Sequence, residues 1–249
     1  MPPPRDRRVG LARALSKLGY CSRSQAAELI RSGAVKLNGR PERDPEAPVN
    51  LVRDRILVGE QTPSSAPKLY LVMNKPRGVV TSRQDDKGRS TVYDWLPEKT
   101  PWLGPVGRLD KASEGLLLFS NDTEWAARIT DPESHLEKTY HVQIGSVADE
   151  ALLQRLTTGV SSGDLGVLRA GRATLLRVGR RNSWIEVALS EGKNRQIRRM
   201  LEAQGIEVLR LVRVAIGPLA LGDLAKGGSR PLTANEKREL DSALARARR

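Results

Sequence analysis

Three short stretches of this 249-residue chain hold side chains whose types and spacing could do chemistry. The first is Gly104-Pro-Val-Gly-Arg-Leu-Asp110, followed by Lys111-Ala-Ser-Glu-Gly115 and the apolar run Leu116-Leu-Leu-Phe119. Glycines on both sides of Arg108-Leu-Asp110 suit a loop held closely against a ligand. On spacing alone the simpler reading, Asp110 capping the turn into Ala112-Ser113, stands ahead. The second stretch is Glu191-Gly-Lys-Asn-Arg195-Gln-Ile-Arg198-Arg199-Met-Leu201, in which Lys193, Arg195, Arg198 and Arg199 crowd the start of a helix striped by Ile197, Met200 and Leu201. Positive charge there opposes the helix dipole. A local rule broken without local benefit points to function, and arginines at a helix start suit phosphate better than they suit a merely solvated face. The third, Glu137-Lys-Thr-Tyr140-His-Val142, opens a strand. By itself its tyrosine reads as a half-buried sheet residue.

Composition bounds what such groups act on. Lys and Arg number 42 against 29 Asp and Glu, a net charge of +13 that suits nucleic acid, a membrane surface or an acidic protein alike. No apolar run approaches the roughly 20 residues of a membrane span, so no membrane role is expected. The charged start, Met1-Pro-Pro-Pro-Arg-Asp-Arg-Arg8, is followed by no apolar stretch, and a cytoplasmic protein is expected. One cysteine, Cys21, rules out an internal disulfide framework, and with only His135 and His141 no metal site is expected.

The elements that must position these residues divide into two groups. From Leu11, the spacing of Leu11, Leu15 and Leu18 predicts a helix closed by Gly19. A second helix, capped by Ser22 or Ser24, carries Ala26, Ala27, Leu29 and Ile30. Val35 and Leu37 then alternate with polar residues up to Asn38-Gly39, a strong hairpin signal. Arg13, Lys17, Arg23, Arg31, Lys36 and Arg40 occupy polar positions of this αα-ββ pattern. Residues 61–67, Gln-Thr-Pro-Ser-Ser-Ala-Pro, read as a linker. Beyond them strands are predicted at 69–73, 78–81, 115–120, 139–144, 173–178 and 184–189, and helices at 123–130, 148–157, 195–204 and 234–246. Strands that do not alternate with crossover helices imply an α+β fold with a mixed, largely antiparallel sheet. Residues 236–249 are expected to form a solvent-facing or RNA-facing basic helix and tail. Trp95, Trp102, Trp125 and Trp184, each in an apolar context, are expected to pack inside.

"LGYCSRSQAAELIRSGAVKLNGR" resembles the S4 RNA-binding fold, which implies that the six cations above bind RNA. "GRLD", "EKTY" and "EGKNRQIRRM", preceded by "YLVMNKPRGVVTS" and followed by "LRLVRVAIGPLALGDL", resemble the rRNA pseudouridine synthases that carry an N-terminal S4 domain. The likeness runs in order from Leu11 to about Leu232. It implies an S4-like module at 8–60, a linker at 61–67 and a catalytic domain at 68–235. It also implies that Asp110 is the essential aspartate, Tyr140 the residue that packs on the target base and Arg198 the partner of the aspartate. Arg108 would enter the space of a flipped nucleotide, and Lys193 and Arg195 would bind RNA. Lys75-Pro76 with Gly78 would form a turn beneath the site. The implied reaction is uridine isomerisation in ribosomal RNA, 23S favoured over 16S, by a monomer without cofactor. A non-catalytic RNA-binding or ribosome-assembly factor on the same scaffold is the alternative, which would have no reason to keep Asp110, Tyr140 and Arg198 together.

Overall fold

The structure, a computed structural model, describes residues 8–63, 66–83 and 85–246. Ser64 and Ser65 of the expected linker, residues 1–7 and residues 247–249 of the expected tail lie outside the described residues. The chain forms two compact units. One runs to Tyr70 and takes in Glu98–Gly104 and Phe119–Ala126; the other comprises Leu71–Pro97, Pro105–Leu118 and the chain from Ala127 onward. No helix among the described residues is long and apolar enough to cross a membrane.

The first unit opens with β1 (Val9–Gly10), α1 (Leu11–Lys17) and α2 (Arg23–Arg31), followed by β2 (Val35–Leu37), β3 (Arg40–Glu42), β4 (Pro48–Val49) and β5 (Ile56–Val58). Gly19 follows the end of α1 with φ +75°, and Ser22 caps α2 in a reciprocal capping box with Gln25. Asn38 and Gly39 both take positive φ, the geometry of the tight hairpin that their sequence signals. Leu11, Leu15, Ile30, Val35 and Val49 are fully buried in one cluster, each worth about 1.5–3 kcal/mol of transfer free energy.

The second unit holds most of β6 (Tyr70–Lys75), β7 (Gly104–Val106), β8 (Glu114–Ser120), α3 (Thr123–Thr130), β9 (Lys138–Ile144), α4 (Glu150–Thr158), β10 (Val160–Ser161), β11 (Val167–Leu168), β12 (Arg172–Val178), β13 (Ser183–Leu189), α5 (Gln196–Glu202), β14 (Val208–Ile216), β15 (Leu219–Ala220), β16 (Ser229–Pro231) and α6 (Ala234–Arg246), although Tyr70, Gly104, Phe119–Ser120 and Thr123–Ala126 fall in the first. Its sheet has the order β12-β13-β9-β14-β8-β6-β16, with β15 on β14 and β7 on β8. Pairing is antiparallel from β12 to β14, whereas β14 and β8 run parallel. All seven residues of β8 are buried, the run Leu116–Phe119 as a mid-sheet strand requires and the polar Glu114 and Ser120 besides. Gly115 is obligatory there: its φ is +99°, and a Cβ would press on the carbonyl oxygen of Arg213 in the neighbouring strand.

One face of β9, β13 and β14 carries the core. Val142, Ile144, Ile185, Val187 and Leu211 pack there with Leu152 and Leu156 of α4 and Ile197, Met200 and Leu201 of α5. Lys138 and Tyr140 share the parity of Val142 and Ile144 on β9, so the core face continues past its apolar end into polar side chains. That continuation forms one wall of the candidate active site.

The structure departs from several sequence expectations. Residues 78–81 form no strand: Gly78 turns with φ +91°, and only Val80 bridges to Thr91. The helix expected over 195–204 is Gln196–Glu202, because Arg195 adopts a left-handed conformation before it. β14 and β16 were not anticipated as strands. α6 is not simply solvent-facing: Leu240 and Leu244, four residues apart, are 0% and 2% exposed. Trp125 is buried against the Tyr70 ring, but Trp95 is 43% exposed.

Candidate active site

β7 ends in a loop that returns to β8, and Asp110 stands in its middle. Gly107, at φ +75°, starts the turn. Five successive backbone carbonyls of this loop are gripped from outside or across the turn. Thr81 Oγ1 donates to Leu109 O at 2.7 Å, and Lys75 Nζ donates to Asp110 O at 3.2 Å and to Ser113 O at 2.8 Å. The Gly78 amide donates to Lys111 O at 2.7 Å, and Arg198 Nη2 to Ala112 O at 3.0 Å. The Ser113 amide closes the turn onto Asp110 O at 2.9 Å. Every bond is to backbone, so the Asp110 carboxylate itself takes no part in holding the loop.

Lys75 is fully buried, and its third bond is to Pro76 O at 3.0 Å. Burial lowers its pKa to about 8, against the fields of Glu114 and Asp110, which favour its charge. Glu114 is itself buried. Burial pushes its carboxyl up, but Arg210 at 3.1 Å and Lys226 at 3.0 Å outweigh that and leave it below the ordinary value. Lys75 therefore occupies a balanced charge environment while it donates to three carbonyls.

The loop borders a cavity of about 580 Å³. Asp110 and Arg108 reach it from the loop, Lys138 and Tyr140 from β9, Arg213 from β14, and Lys193 and Arg195 from the segment before α5. Glu191, the other carboxylate of the wall, is held by Lys193 at 3.2 Å and by Gln196 Nε2 at 2.7 Å. Asp110 is thus the acid left open in a wall dominated by cations. Tyr140, half-buried, lines the same cavity.

Arg198 does not line this cavity. The sequence expectation places it within ion-pair reach of Asp110, but its hydrogen bonds go to Ala112 O and, at 3.5 Å, to Val208 O. Burial, with Arg195 and Arg77 nearby, lowers its pKa, and the field of Asp110 works the other way. The structure therefore joins Arg198 to Asp110 through the loop backbone and through charge, since the turn presents the Ala112 carbonyl to the guanidinium. In the other unit Arg13, Arg23, Arg31, Lys36 and Arg40 are exposed. Lys17 differs: its ammonium is engaged by Glu124 at 2.6 Å.

Residues 69–203 match the model of a family described as RNA pseudouridylate synthase, and residues 9–56 match the S4 domain. The chain belongs to the RNA pseudouridylate synthase family. It is 35% identical over 232 residues, 92% of this chain and 94% of the relative, to the "Ribosomal large subunit pseudouridine synthase B" of Bacillus subtilis (strain 168). It is 34% identical over 95% of both chains to an "Uncharacterized RNA pseudouridine synthase" of Aquifex aeolicus (strain VF5). Among solved structures, a "Crystal structure of pseudouridylate synthase" aligns with a TM-score of 0.66 and 30% identity, covering 93% of this chain and 99% of that one.

Of the residues in the synthase cavity, sequence reasoning passed over Lys138 and Arg213, although both lie inside quoted motifs. A usable signal existed for Lys138. It stands two residues before Tyr140 on a strand, which puts both on one face. For Arg213 there was none, because β14 is bulged and its parity cannot be read from spacing.

Proposed function

We propose that this synthase converts a specific uridine of ribosomal RNA to pseudouridine, with Asp110 acting on the ribose. One observation carries the proposal: Asp110 is the unpaired carboxylate of a cation-lined cavity, on a loop held by five backbone carbonyls while its side chain stays unengaged. Uridine must be cut at C1′–N1, turned and rejoined through C5. The carboxylate either attacks C1′ or removes the C2′ proton to give a glycal. Neither route needs redox chemistry, an activated group or a hydrolytic water, so the scheme includes no cofactor. Tyr140 packs on the uracil and keeps the detached base in place. The target is buried in stacked RNA and has to be flipped out at a cost of a few kcal/mol. Arg108, exposed at the rim, fills the vacated space, and Arg198 serves as a positioning residue for the aspartate loop.

The domain assignment follows the same reading: a module at 8–60 binds RNA through Arg13, Arg23, Arg31, Lys36 and Arg40, and residues 68–235 carry catalysis. Lys17 contributes less, since Glu124 already holds it. The relatives named for the ribosomal large subunit support 23S over 16S as the target. The protein acts as a cytoplasmic monomer.

The test is Asp110→Asn under single-turnover conditions on rRNA, alongside mapping of pseudouridines in rRNA from cells with and without the protein. The expected outcome is loss of isomerisation with RNA affinity kept within a few fold. A near-native rate for the Asn variant refutes the chemistry, and identical pseudouridine maps refute the function.

A further inference from the structure

Two cations in the cavity wall have no partner that accounts for them. Lys138 and Tyr140 share one face of β9, and Arg213 is the direct register partner of Tyr140 on β14. Arg213 is 6% exposed; its Nε donates to Leu116 O at 2.7 Å, while its Nη2 is buried without a hydrogen-bond partner. The Lys138 side chain makes no hydrogen bond or ion pair among the described residues. Burial and the neighbouring Arg213 both lower its pKa. Two like charges in one wall cost desolvation and repulsion, and the bond from Arg213 to Leu116 O offsets this only in part. An anion arriving in the cavity offsets both.

We infer that Lys138 and Arg213 are catalytic residues that stabilise the uracil anion as it leaves the ribose. The inference rests on the reading of this cavity as the uridine site. When C1′–N1 breaks, the electron pair stays on the base, making uracil an anion delocalised over N1, O2 and O4. C1′ meanwhile bonds to the Asp110 carboxylate, or C2′ gives Asp110 its proton as a C1′=C2′ double bond forms. On rejoining, C5 supplies the pair for the new C1′–C5 bond. The pair on the carboxylate returns to Asp110, or the proton returns to C2′. The C5 proton is then lost and N1 gains one, leaving neutral pseudouridine. Both routes pass through the same anion, and both need its charge held. Burial favours the base over a phosphate: Arg213 is buried and Lys138 half-buried in the wall that Tyr140 shares, whereas Arg108, Lys193 and Arg195 are exposed and suited to backbone phosphates.

The test compares RNA carrying uridine or 5-fluorouridine at the target, whose base leaves more readily as an anion, in single turnovers at saturating enzyme read as loss of the N1-linked nucleoside, because fluorine at C5 blocks the final proton loss. Lys138→Met is expected to slow uridine conversion by about 10²-fold, with RNA affinity unchanged. The loss should shrink severalfold on 5-fluorouridine, and Lys138→Arg should recover most of it. Arg213→Lys, which keeps the charge but not the reach, should show the same base-dependent pattern, with thermal unfolding checked for both variants. Equal losses on the two bases overturn the inference. So does an intact rate with weakened, less salt-dependent binding, which marks a phosphate contact. Failure of the unaltered protein to convert uridine overturns the functional reading itself, whereas the preceding outcomes leave that reading standing.

Discussion

Replacing Lys75 by methionine separates the anchorage of the aspartate loop from the chemistry of the aspartate. Its ammonium donates to three carbonyls at 3.0, 3.2 and 2.8 Å and is fully buried. A hydrogen bond from a charged donor contributes about 1.5–3 kcal/mol net, and a carbonyl left dry costs about 1–3 kcal/mol. Methionine keeps most of the volume and relieves the desolvation of a charge, so the net loss of stability should be about 3 kcal/mol rather than the sum. Two of the three carbonyls belong to Asp110 and Ser113. A shift of about 1 Å in that turn should cost about 10²-fold in rate.

Alkaline pH removes the charge of this anchor without a mutation, leaving a neutral amine in place. The lysine's ordinary value of 10.5 falls to about 8 in the folded protein. About nine-tenths of Lys75 is then protonated at pH 7 and about one-tenth at pH 9. Between about 8 and 10.5 the unfolded chain holds a proton that the folded chain has released, so this group's destabilising effect is full below about 8 and is lost as the pH rises to 10.5. The sign is fixed by proton counting: over this window the unfolded state binds more protons, and the contribution of Lys75 to stability rises with pH while the turnover rate falls through pH 8. General alkaline unfolding would lower both together. Denaturant unfolding and single-turnover rates at saturating enzyme, taken from pH 7 to 9, read the two trends. A flat rate for the unaltered protein, or a Met variant that turns over normally, refutes the anchorage.

Arg198→Ala should lower the single-turnover rate by orders of magnitude, whereas Arg199→Ala, about 100° around the helix, should act mainly on binding or stability; equal rate losses would remove the positioning role. Gly115→Ala forces a Cβ against the Arg213 carbonyl and to 2.8 Å from its amide nitrogen at φ +99°, and should cost about 3 kcal/mol or more in thermal unfolding. An alanine variant melting with the parent would show that β8 and β14 yield easily. Replacing Lys36 or Arg40, both exposed, should reduce the slope of log K against log[salt] by about 0.7–1 for each phosphate no longer neutralised; unchanged slopes for both would show that they only solvate the module.

Much of this was legible in the sequence because local signals and tertiary needs agree there. Ser22 three residues before Gln25, the Asn38-Gly39 turn and the leucines of α1 each follow from a rule that the structure obeys. Where the two conflict, the sequence is silent or misleading. Val79-Val80-Thr81 has strand composition, yet Gly78 turns the chain so that the Gly78 amide and the Thr81 hydroxyl serve the aspartate loop. Arg195 enters a left-handed conformation that no propensity favours, and this shortens α5. Asp110 and Arg198 were legible as a pair through family resemblance, but not the manner of their coupling. A guanidinium that binds a backbone carbonyl leaves no mark in the residue type opposite it.

The carbonyl grip on residues 109–113 also bears on how the protein folds. Its side-chain donors lie 28 to 86 residues away along the chain, at Thr81, Lys75 and Arg198. Such contacts repay the entropy of loop closure only after the intervening chain has already collapsed. The turn bearing Asp110 is therefore among the last segments to acquire its native shape. A chain emerging during synthesis cannot set this aspartate until α5 has been made and docked. If, as proposed, the N-terminal module binds RNA and Asp110 acts on the ribose, partly folded forms would gain binding competence before catalytic competence.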